Sequence, residues 1–348
     1  MTQDKGVVYR DNLDIDIKYD LSTLKNYKLV QPGDFIISLR SFQGGFETSY
    51  LTGITSPAYT IFNFIDNQDK DHAFWQYLFK RIDFINSLKR VTFGIRDGKA
   101  ISFSQFGDVK VKYPSFDEQK HIATALTKLD NTIQLHEDHL QFLHSFKSFL
   151  LQKMFFDNDI PPLLRFNKFT EKWNQCRLND HTIVTMGQSP NSKNYTNNQT
   201  GKILVQGNAD LYKNKVLKRV FTTEVTKTAV KNDILISVRA PVGDIARNQY
   251  ESVVIGRGIA SIKGNDFLYY QLEKMKNNGF WNKYIAGSTF ESITGKDLKN
   301  TKIYTTNSDE ERKIGNIFSS LTKIIQLQEH KIDSLKKLKQ FLLQNMFI

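Results

Sequence analysis

The chain has 348 residues, 40% of them hydrophobic and 12% aromatic, so it can bury the cores of two domains and is not compositionally disordered. Its formal net charge of +12 favours an anionic partner, with nucleic acid first, an anionic membrane second, and a generally lysine-rich composition as the alternative explanation. The single cysteine, Cys176, excludes an intrachain disulfide and a cysteine zinc cluster, and no apolar leader or membrane span is present, which predicts a cytoplasmic chain without a membrane partner.

The first predicted domain spans residues 1–115 and is mostly β-structure. Its run PGDFIISLR, residues 32–40, is short, apolar and bounded by turn residues, as expected of a strand. One helix is predicted near Asp71–Leu88. Strands and helix in separate stretches indicate an α+β domain.

A long helix is predicted over residues 116–156, because apolar residues recur there at alternating steps of four and three, the seam of a coiled coil. His136 and Lys147 occupy two polar seam positions. A linker is predicted over residues 157–169, which contain a Pro-Pro pair that ends the helix. The apolar seam consists of Ile122, Leu126, Leu129, Ile133, Leu140, Leu143 and Leu150.

The second half of the chain repeats this order. A second domain is predicted over residues 170–307, with the strand-like run NDILISVR and a helix near Asp266–Tyr284, and a second long helix over residues 308–348. Residues 117–155 align without a gap with residues 309–347, and both contain the strings IQL and FLLQ. The second seam consists of Ile314, Phe318, Leu321, Ile325, Ile332, Leu335 and Leu342.

Apolar seams must be buried, and the simplest solution is that the two helices pack on each other as an antiparallel coiled coil. The alternative is that both helices bind another protein and never meet. A helix of this kind is ~50 Å long. Two similar but unequal domains separated by such a spacer would match the pseudo-twofold of duplex DNA and read two different half-sites.

No motif in the chain predicts catalysis. The nearest string to an adenine-methyltransferase loop, Asp159–Leu163, has an inserted Ile and no aromatic residue. The letters E-x-K of some nucleases occur at Glu118–Lys120 and Glu311–Lys313, where acidic residues in the first turn of a helix favourably face its dipole. We therefore expect neither a catalytic nor a metal site.

Candidate DNA contacts are basic, amide and hydroxyl side chains in loops, the groups that reach base edges and phosphates. Arg40 and Arg239 end equivalent strand runs and are the best-matched pair, although each could instead pair with a local carboxylate. The remaining candidates could equally be solvated loop residues. They are Ser41, Gln43, Arg96 and Lys99 in the first half, and Gln188, Ser189, Lys193, Asn194, Tyr195, Gln206, Asn208, Arg257 and Thr289 in the second.

The two long helices open with [DE]-E-[QE]-[KR]-x-I and close with F-L-L-Q-[KN]-M-F, and the second domain contains the strings GKILVQGNAD and NDILISVRAPVGD. Through these motifs the chain resembles the specificity subunit of type I restriction-modification enzymes. The resemblance covers nearly the whole chain. It implies two target-recognition domains reading a bipartite, asymmetric DNA target, and helices that set the spacer and bind two methyltransferase subunits. It also implies motor-nuclease restriction subunits, with S-adenosylmethionine, ATP and Mg²⁺ bound by the partners and no cofactor bound by this chain.

The first half departs from that pattern, because the family's opening Trp…Leu-Gly segment, present from Trp173, has no counterpart before Asp34. We expect the first recognition domain to be shortened at its N-terminus. Two other classes stay open at this point: a coiled-coil interaction protein with incidental charge, and a stand-alone nuclease acting on DNA.

Overall fold

The computed structural model describes residues 6–13, 21–38, 46–89, 103–157, 159–284 and 292–347. The chain divides into two compact units. Unit 1 comprises Met1–Asp138 with Glu329–Ile348, and unit 2 comprises His139–Gln328. The predicted α+β class is confirmed, since both units combine helices with mostly antiparallel strands. The predicted domain boundaries divide the sequence into consecutive segments, whereas the two units are defined by contacts. The boundaries therefore stay a prediction.

The described part of unit 1 contains two small antiparallel sheets, with strand orders β1-β4 and β3-β2-β5. Its core is rich in aromatic rings, and Phe79 packs on both Phe35 and Phe46, at centroid distances of 5.2 and 5.1 Å. The strands are β1 Lys28–Val30, β2 Phe35–Ser38, β3 Phe46–Thr48, β4 Gly53–Thr55 and β5 Tyr59–Phe62. The helices are α1 His72–Lys80, α2 Ile82–Lys89, α3 Phe103–Gly107 and the first part of α4, Phe116–Met154.

Unit 2 contains a six-stranded sheet, a five-stranded sheet and a pair, with orders β10-β11-β15-β14-β17-β7, β13-β16-β9-β12-β8 and β18-β6. Its helices are α5 Leu178–His181, α6 Asp266–Asn277, α7 Gly295–Lys299 and part of α8, Ser308–Asn345. Its strands are β6 Asn174–Arg177, β7 Val184–Met186, β8 Tyr195–Thr196, β9 Lys202–Val205, β10 Leu211–Tyr212, β11 Lys215–Val216, β12 Val220–Thr222, β13 Thr228–Val230, β14 Ile234–Ser237, β15 Ile245–Arg247, β16 Ser252–Ile255, β17 Ile259–Ile262 and β18 Lys302–Thr305.

The predicted single helices of the two halves are each interrupted. In the first half, Arg81 adopts an extended backbone and separates α1 from α2. In the second half, α6 ends before Gly279, whose positive φ of 69° favours glycine and stops the helix. A short 3₁₀ segment, Phe280–Tyr284, follows it. The prediction of one continuous helix in each domain was therefore too long.

The long helices α4 and α8 each contribute to both units, and they pack on each other within each unit. In unit 1, Lys339 lies 2.6 Å from Asp130 and Lys336 lies 2.6 Å from Glu137. From one ion pair to the next, the residue number rises along α4 and falls along α8, so the two helices are antiparallel in unit 1. In unit 2, Leu143 and Leu150 of α4 share a core with residues of α8. The predicted pairing is confirmed over the alternative that the helices never meet.

The predicted seam positions are the inward positions of both helices. Leu129, Leu140, Leu335 and Leu342 are half-buried. The other ten are buried, with at most 9% of each residue exposed: Ile122, Leu126, Ile133, Leu143, Leu150, Ile314, Phe318, Leu321, Ile325 and Ile332.

We call the part of each unit outside the two long helices its body. In each unit, a tyrosine joins one helix of the body, α1 in unit 1 and α6 in unit 2, to a long helix. In unit 1, the Tyr77 hydroxyl of α1 donates to Asp130 at 2.8 Å, and the ammonium of Lys339 lies 5.5 Å from the Tyr77 ring centroid. In unit 2, the Tyr270 hydroxyl of α6 donates to Thr322, and the ammonium of Lys147 lies over the Tyr270 ring. The repeat aligns Asp130 with Thr322.

The repeat also aligns the seam residue Lys147 with Lys339, and each of these lysines forms an ion pair in its own unit. Lys147 lies 2.8 Å from Glu273 of α6, whereas Lys339 lies 2.6 Å from Asp130 of α4. The lysine–tyrosine contact is therefore repeated while the acidic partner moves from the long helix to the body. Each half thus docks its body on the helix pair in the same way, even though the bodies differ in sequence.

The tyrosine contact of unit 1 predicts an alkaline loss of stability. Burial raises the pKa of Tyr77 from 10.0 to about 12, and the Asp130 carboxylate adds to the rise. A pKa that is higher in the folded state contributes stability below pH 10 that is lost as the pH rises towards 12. We expect the free energy of unfolding, measured with urea between pH 9 and 12, to fall less steeply in Tyr77→Phe than in the parent. Equal slopes would contradict this.

Candidate nucleic-acid interface

Four loops of unit 2, each following a strand, meet at one place on the surface. They are residues 187–190 after β7, 206–209 after β9, 238–244 after β14 and 256–258 after β16. We call this surface the loop edge. Backbone hydrogen bonds join all four loops, from Gly256 to Val205, from Gly258 to Gln206, and from Val238 to Gly258, at 2.8–3.0 Å, with Gln188 donating to Ile255.

Glycine permits the close approach of these loops. A Cβ on Gly187 would lie 2.1 Å from the Gly256 carbonyl oxygen, and one on Gly258 would lie 2.3 Å from the Gln206 carbonyl oxygen. Both neighbours are backbone atoms, so a side chain at either position would push the loops apart. Gly187 and Gly258 therefore help to fix the arrangement of the loop edge.

The loop edge gathers six of the predicted contacts. Gln188, Arg239 and Arg257 are exposed there, whereas Ser189, Gln206 and Asn208 are half-buried. The Ser189 hydroxyl accepts a hydrogen bond from the Arg257 backbone at 3.1 Å, which fixes the turn that carries the Arg257 side chain. The Arg239 backbone forms an antiparallel bridge with Ser292. Two guanidinium groups and several amides therefore share one surface.

Lys193, Asn194 and Tyr195 lie next to the loop edge. The Glu224 carboxylate accepts from the Asn191 backbone at 2.8 Å and from the Asn194 amide at 2.7 Å, and these hydrogen bonds lower its pKa. Thr226, two residues further on, donates to the Gln188 carbonyl and joins this segment to the edge. The Asn194 amide thus has a partner in the protein, while Lys193 is exposed.

Six other predicted contacts lie outside the described residues, so no contact surface is placed in unit 1. They are Arg40, Ser41, Gln43, Arg96, Lys99 and Thr289. Together with the residues of the loop edge, they stay a prediction.

The sequence analysis missed two charged residues at the loop edge. Asp244 follows β14 and accepts a hydrogen bond from the Asn208 amide at 2.8 Å, and Lys276 of α6 forms an ion pair with the same carboxylate. The alignment of the two halves contained a signal, because it places Gly45 opposite Asp244. A charge that differs between otherwise matched strand ends is a candidate determinant of difference between the domains.

The acidic residues that open α8 have structural roles. Arg165 donates two hydrogen bonds to Glu310, at 2.9 and 2.8 Å, and the Trp173 indole donates a third at 3.1 Å. Glu311 accepts from the Thr306 backbone and from Asn265, the N-cap residue of α6. Among the described residues, no three histidine, cysteine or acidic side chains are grouped as a metal site would require. No described helix is both long and apolar enough to cross a bilayer.

The fold places this protein in a class with two α+β domains of different sequence. Each domain packs on the pair of long helices through the same tyrosine and lysine contacts. The family described as type I restriction modification DNA specificity domain matches residues 7–144 and 170–337. The chain belongs to this family.

Relatives agree with this assignment. The putative type I restriction enzyme MjaX specificity subunit of Methanocaldococcus jannaschii is 29% identical over 280 residues, which cover 76% of this chain and 64% of that protein. The chain thus spans slightly less than two thirds of this relative.

Solved structures share the fold. A chain from a study of complex assembly and conformational transition of the type I R-M system matches with a TM-score of 0.62 and 21% identity, covering 92% of this chain and 83% of that one. The HsdS subunit of Thermoanaerobacter tengcongensis matches with a TM-score of 0.52 and 21% identity, covering 92% and 82%. The predicted family and fold class are confirmed.

Proposed function

We propose that this chain is the DNA-reading subunit of a type I restriction-modification complex and has no catalytic site of its own. Each unit reads one half of a bipartite, asymmetric target in double-stranded DNA. The observation that carries the proposal is the duplication: the same tyrosine and lysine contacts join two domains of different sequence to the long helices. Two domains of different sequence, attached to the long helices by the same contacts, suit a DNA target with two different half-sites.

The loop edge is the proposed reading surface of unit 2. It presents Arg239 and Arg257, with Gln188 and Gln206 beside them, and arginine and amide side chains supply the hydrogen bonds that distinguish base pairs in the major groove. Lys193, at the neighbouring segment, would contact phosphates. That contact contributes affinity without specificity and weakens as salt rises.

The proposed partners are two methyltransferase subunits and the restriction subunits of such a complex. Adenine methylation with S-adenosylmethionine, and cleavage with ATP and Mg²⁺, would take place on those partners. The two long helices align without a gap and share strings such as IQL and FLLQ, which supports two copies of one partner. Co-purification of the chain with a type I methyltransferase subunit expressed with it, with the stoichiometry measured by native mass spectrometry, tests this.

The reading function is tested by selecting duplexes from a random library with the chain bound to that methyltransferase. We expect enrichment of two short, different half-sites at one fixed spacing, with adenine methylated in them. The chain alone, incubated with DNA and Mg²⁺, should not cleave. Cleavage by the pure chain, or enrichment of no motif, would contradict the proposal.

Arg239→Ala is expected to reduce the discrimination between bases at one position of one half-site by ~1–3 kcal/mol, because a guanidinium that contacts a base contributes about that much discrimination. The measurement is the dissociation constant on duplexes that vary at each position. Arg312→Ala removes another exposed arginine, at the start of α8, and serves as the control. If both variants weaken all duplexes alike, Arg239 contributes charge and not specificity.

A further inference from the structure

The side-chain amide of Asn208 is held in one orientation at the loop edge. One Nδ2 hydrogen is donated to Asp244, with 2.8 Å between the nitrogen and the carboxylate oxygen. Because a carboxylate only accepts, this contact fixes which end of the amide is nitrogen. Within the described residues, neither the Oδ1 oxygen nor the second Nδ2 hydrogen of Asn208 has a protein partner. An acceptor and a donor are therefore left side by side on a half-buried side chain.

The Asp244 carboxylate is itself held in place and its charge is balanced. Its backbone N–H donates to the Ser237 hydroxyl at 2.8 Å, and that hydroxyl donates to the Pro241 carbonyl. Lys276 forms an ion pair with the other carboxylate oxygen. An unbalanced carboxylate at this place would repel phosphates, so the lysine lets an acidic residue support an interface for a polyanion.

The space beside Asn208 is open. A Cβ built on the preceding residue, Gly207, meets no atom within 4 Å. The exposed Arg257 belongs to the loop that Gly258 joins to Gln206 by a backbone hydrogen bond. The loop therefore leaves room for a base edge on the Gly207 side of Asn208.

We propose that Asn208, positioned by Asp244, reads an adenine in the half-site of unit 2, donating to adenine N7 and accepting from adenine N6. This deepens the proposed function and rests on it. Asparagine pairs with adenine through this two-point contact, and no other base offers an acceptor and a donor in that order in the major groove. Asp244 is a positioning residue, since it acts on the base only through Asn208.

The first half lacks this arrangement in its sequence. Asp34–Arg40 aligns with Asp233–Arg239, and the position opposite Asp244 is Gly45. The half-site of unit 1 should therefore not be read through a carboxylate-held amide at this place. A target whose two halves differ is the expected result.

The test uses the full chain in its methyltransferase complex. A motif is first selected from a random duplex library, and each adenine of the unit 2 half-site is then replaced by 7-deazaadenine, which lacks the N7 acceptor. We expect one position where this replacement weakens binding by the parent. In Asn208→Ala, the preference for adenine at that position should fall by roughly 5- to 150-fold in relative affinity. The position should also lose its sensitivity to 7-deazaadenine. The other positions should keep their preferences.

Asp244→Asn separates positioning from contact. An amide at 244 can face Asn208 with either end, so the adenine preference at the same position should fall by less than in Asn208→Ala. Asn300→Ala, which changes an exposed asparagine after α7, should leave the motif unchanged. Thermal unfolding checks that each variant is folded.

The outcomes distinguish the two proposals. If the parent enriches no motif, the DNA-reading function itself fails. If the parent enriches a motif and Asn208→Ala keeps every preference and the 7-deazaadenine sensitivity, the adenine contact is wrong and the reading function stands. An equal loss of affinity for all sequences in Asn208→Ala would also overturn the contact, because it would mark a phosphate-binding or purely structural residue.

Discussion

Phe318→Ala is expected to lower the free energy of unfolding by about 3–5 kcal/mol, the cost of removing a large buried ring and leaving a cavity. Phe318 lies on the seam of α8 and is fully buried. Its ring packs on Tyr270 at 5.1 Å and on Phe155 at 5.6 Å between centroids. The ring therefore joins the long helix to α6 and to the end of α4 within unit 2, and three elements lose contacts when it is removed.

The measurement is urea unfolding followed by circular dichroism and tryptophan fluorescence. Phe341→Ala makes the same chemical change on the same helix at a position that is 59% exposed, and should alter the free energy by about 0.5 kcal/mol or less. Equal effects of the two substitutions would mean that the seam assignment is wrong at Phe318.

Glu310→Ala is expected to cost about 3–5 kcal/mol, because removal of one partner leaves buried polar groups without their hydrogen bonds. The Glu310 side chain is fully buried and accepts two hydrogen bonds from Arg165 and one from the Trp173 indole. Thr306 donates a further hydrogen bond to it. The carboxylate thus connects the linker, the strand region of unit 2 and the start of α8.

The neighbouring Asp309 supplies the control, since its carboxylate is 61% exposed and pairs with Arg312 within the same turn. Asp309→Ala should cost less than about 1 kcal/mol. The double variant Arg165→Met, Glu310→Met should recover part of the loss, because it leaves no unpaired charge. If Glu310→Ala is as stable as Asp309→Ala, the hydrogen-bond cluster does not hold the linker.

The features that follow from periodicity were predictable from the sequence. The steps of four and three located the seam of both long helices, and the internal repeat showed that the pattern occurs twice. Strand runs such as NDILISVR were also recognisable, because apolar residues lie between turn residues. These signals are local, so they do not depend on how distant segments meet.

The loop edge was not predictable as a surface. Asn208 and Asp244 are separated by 36 residues, and only the pairing of β9 with β16 and of β14 with β17 brings their loops together. Single residues were proposed from their chemistry, but their partners were not. The break at Arg81 was missed for a related reason, since no glycine or proline marks it and packing determines where α1 ends.

The contribution of α8 to both units bears on the order of folding during synthesis. The last described residue, Phe347, stacks on Phe74 of unit 1 at 5.0 Å, and residues from Glu329 onwards belong to that unit. Unit 2 contains no residue beyond Gln328. Domains generally form as their segments leave the ribosome. The half that is translated first must therefore wait for the final helical turns, and the later half can complete its core before it.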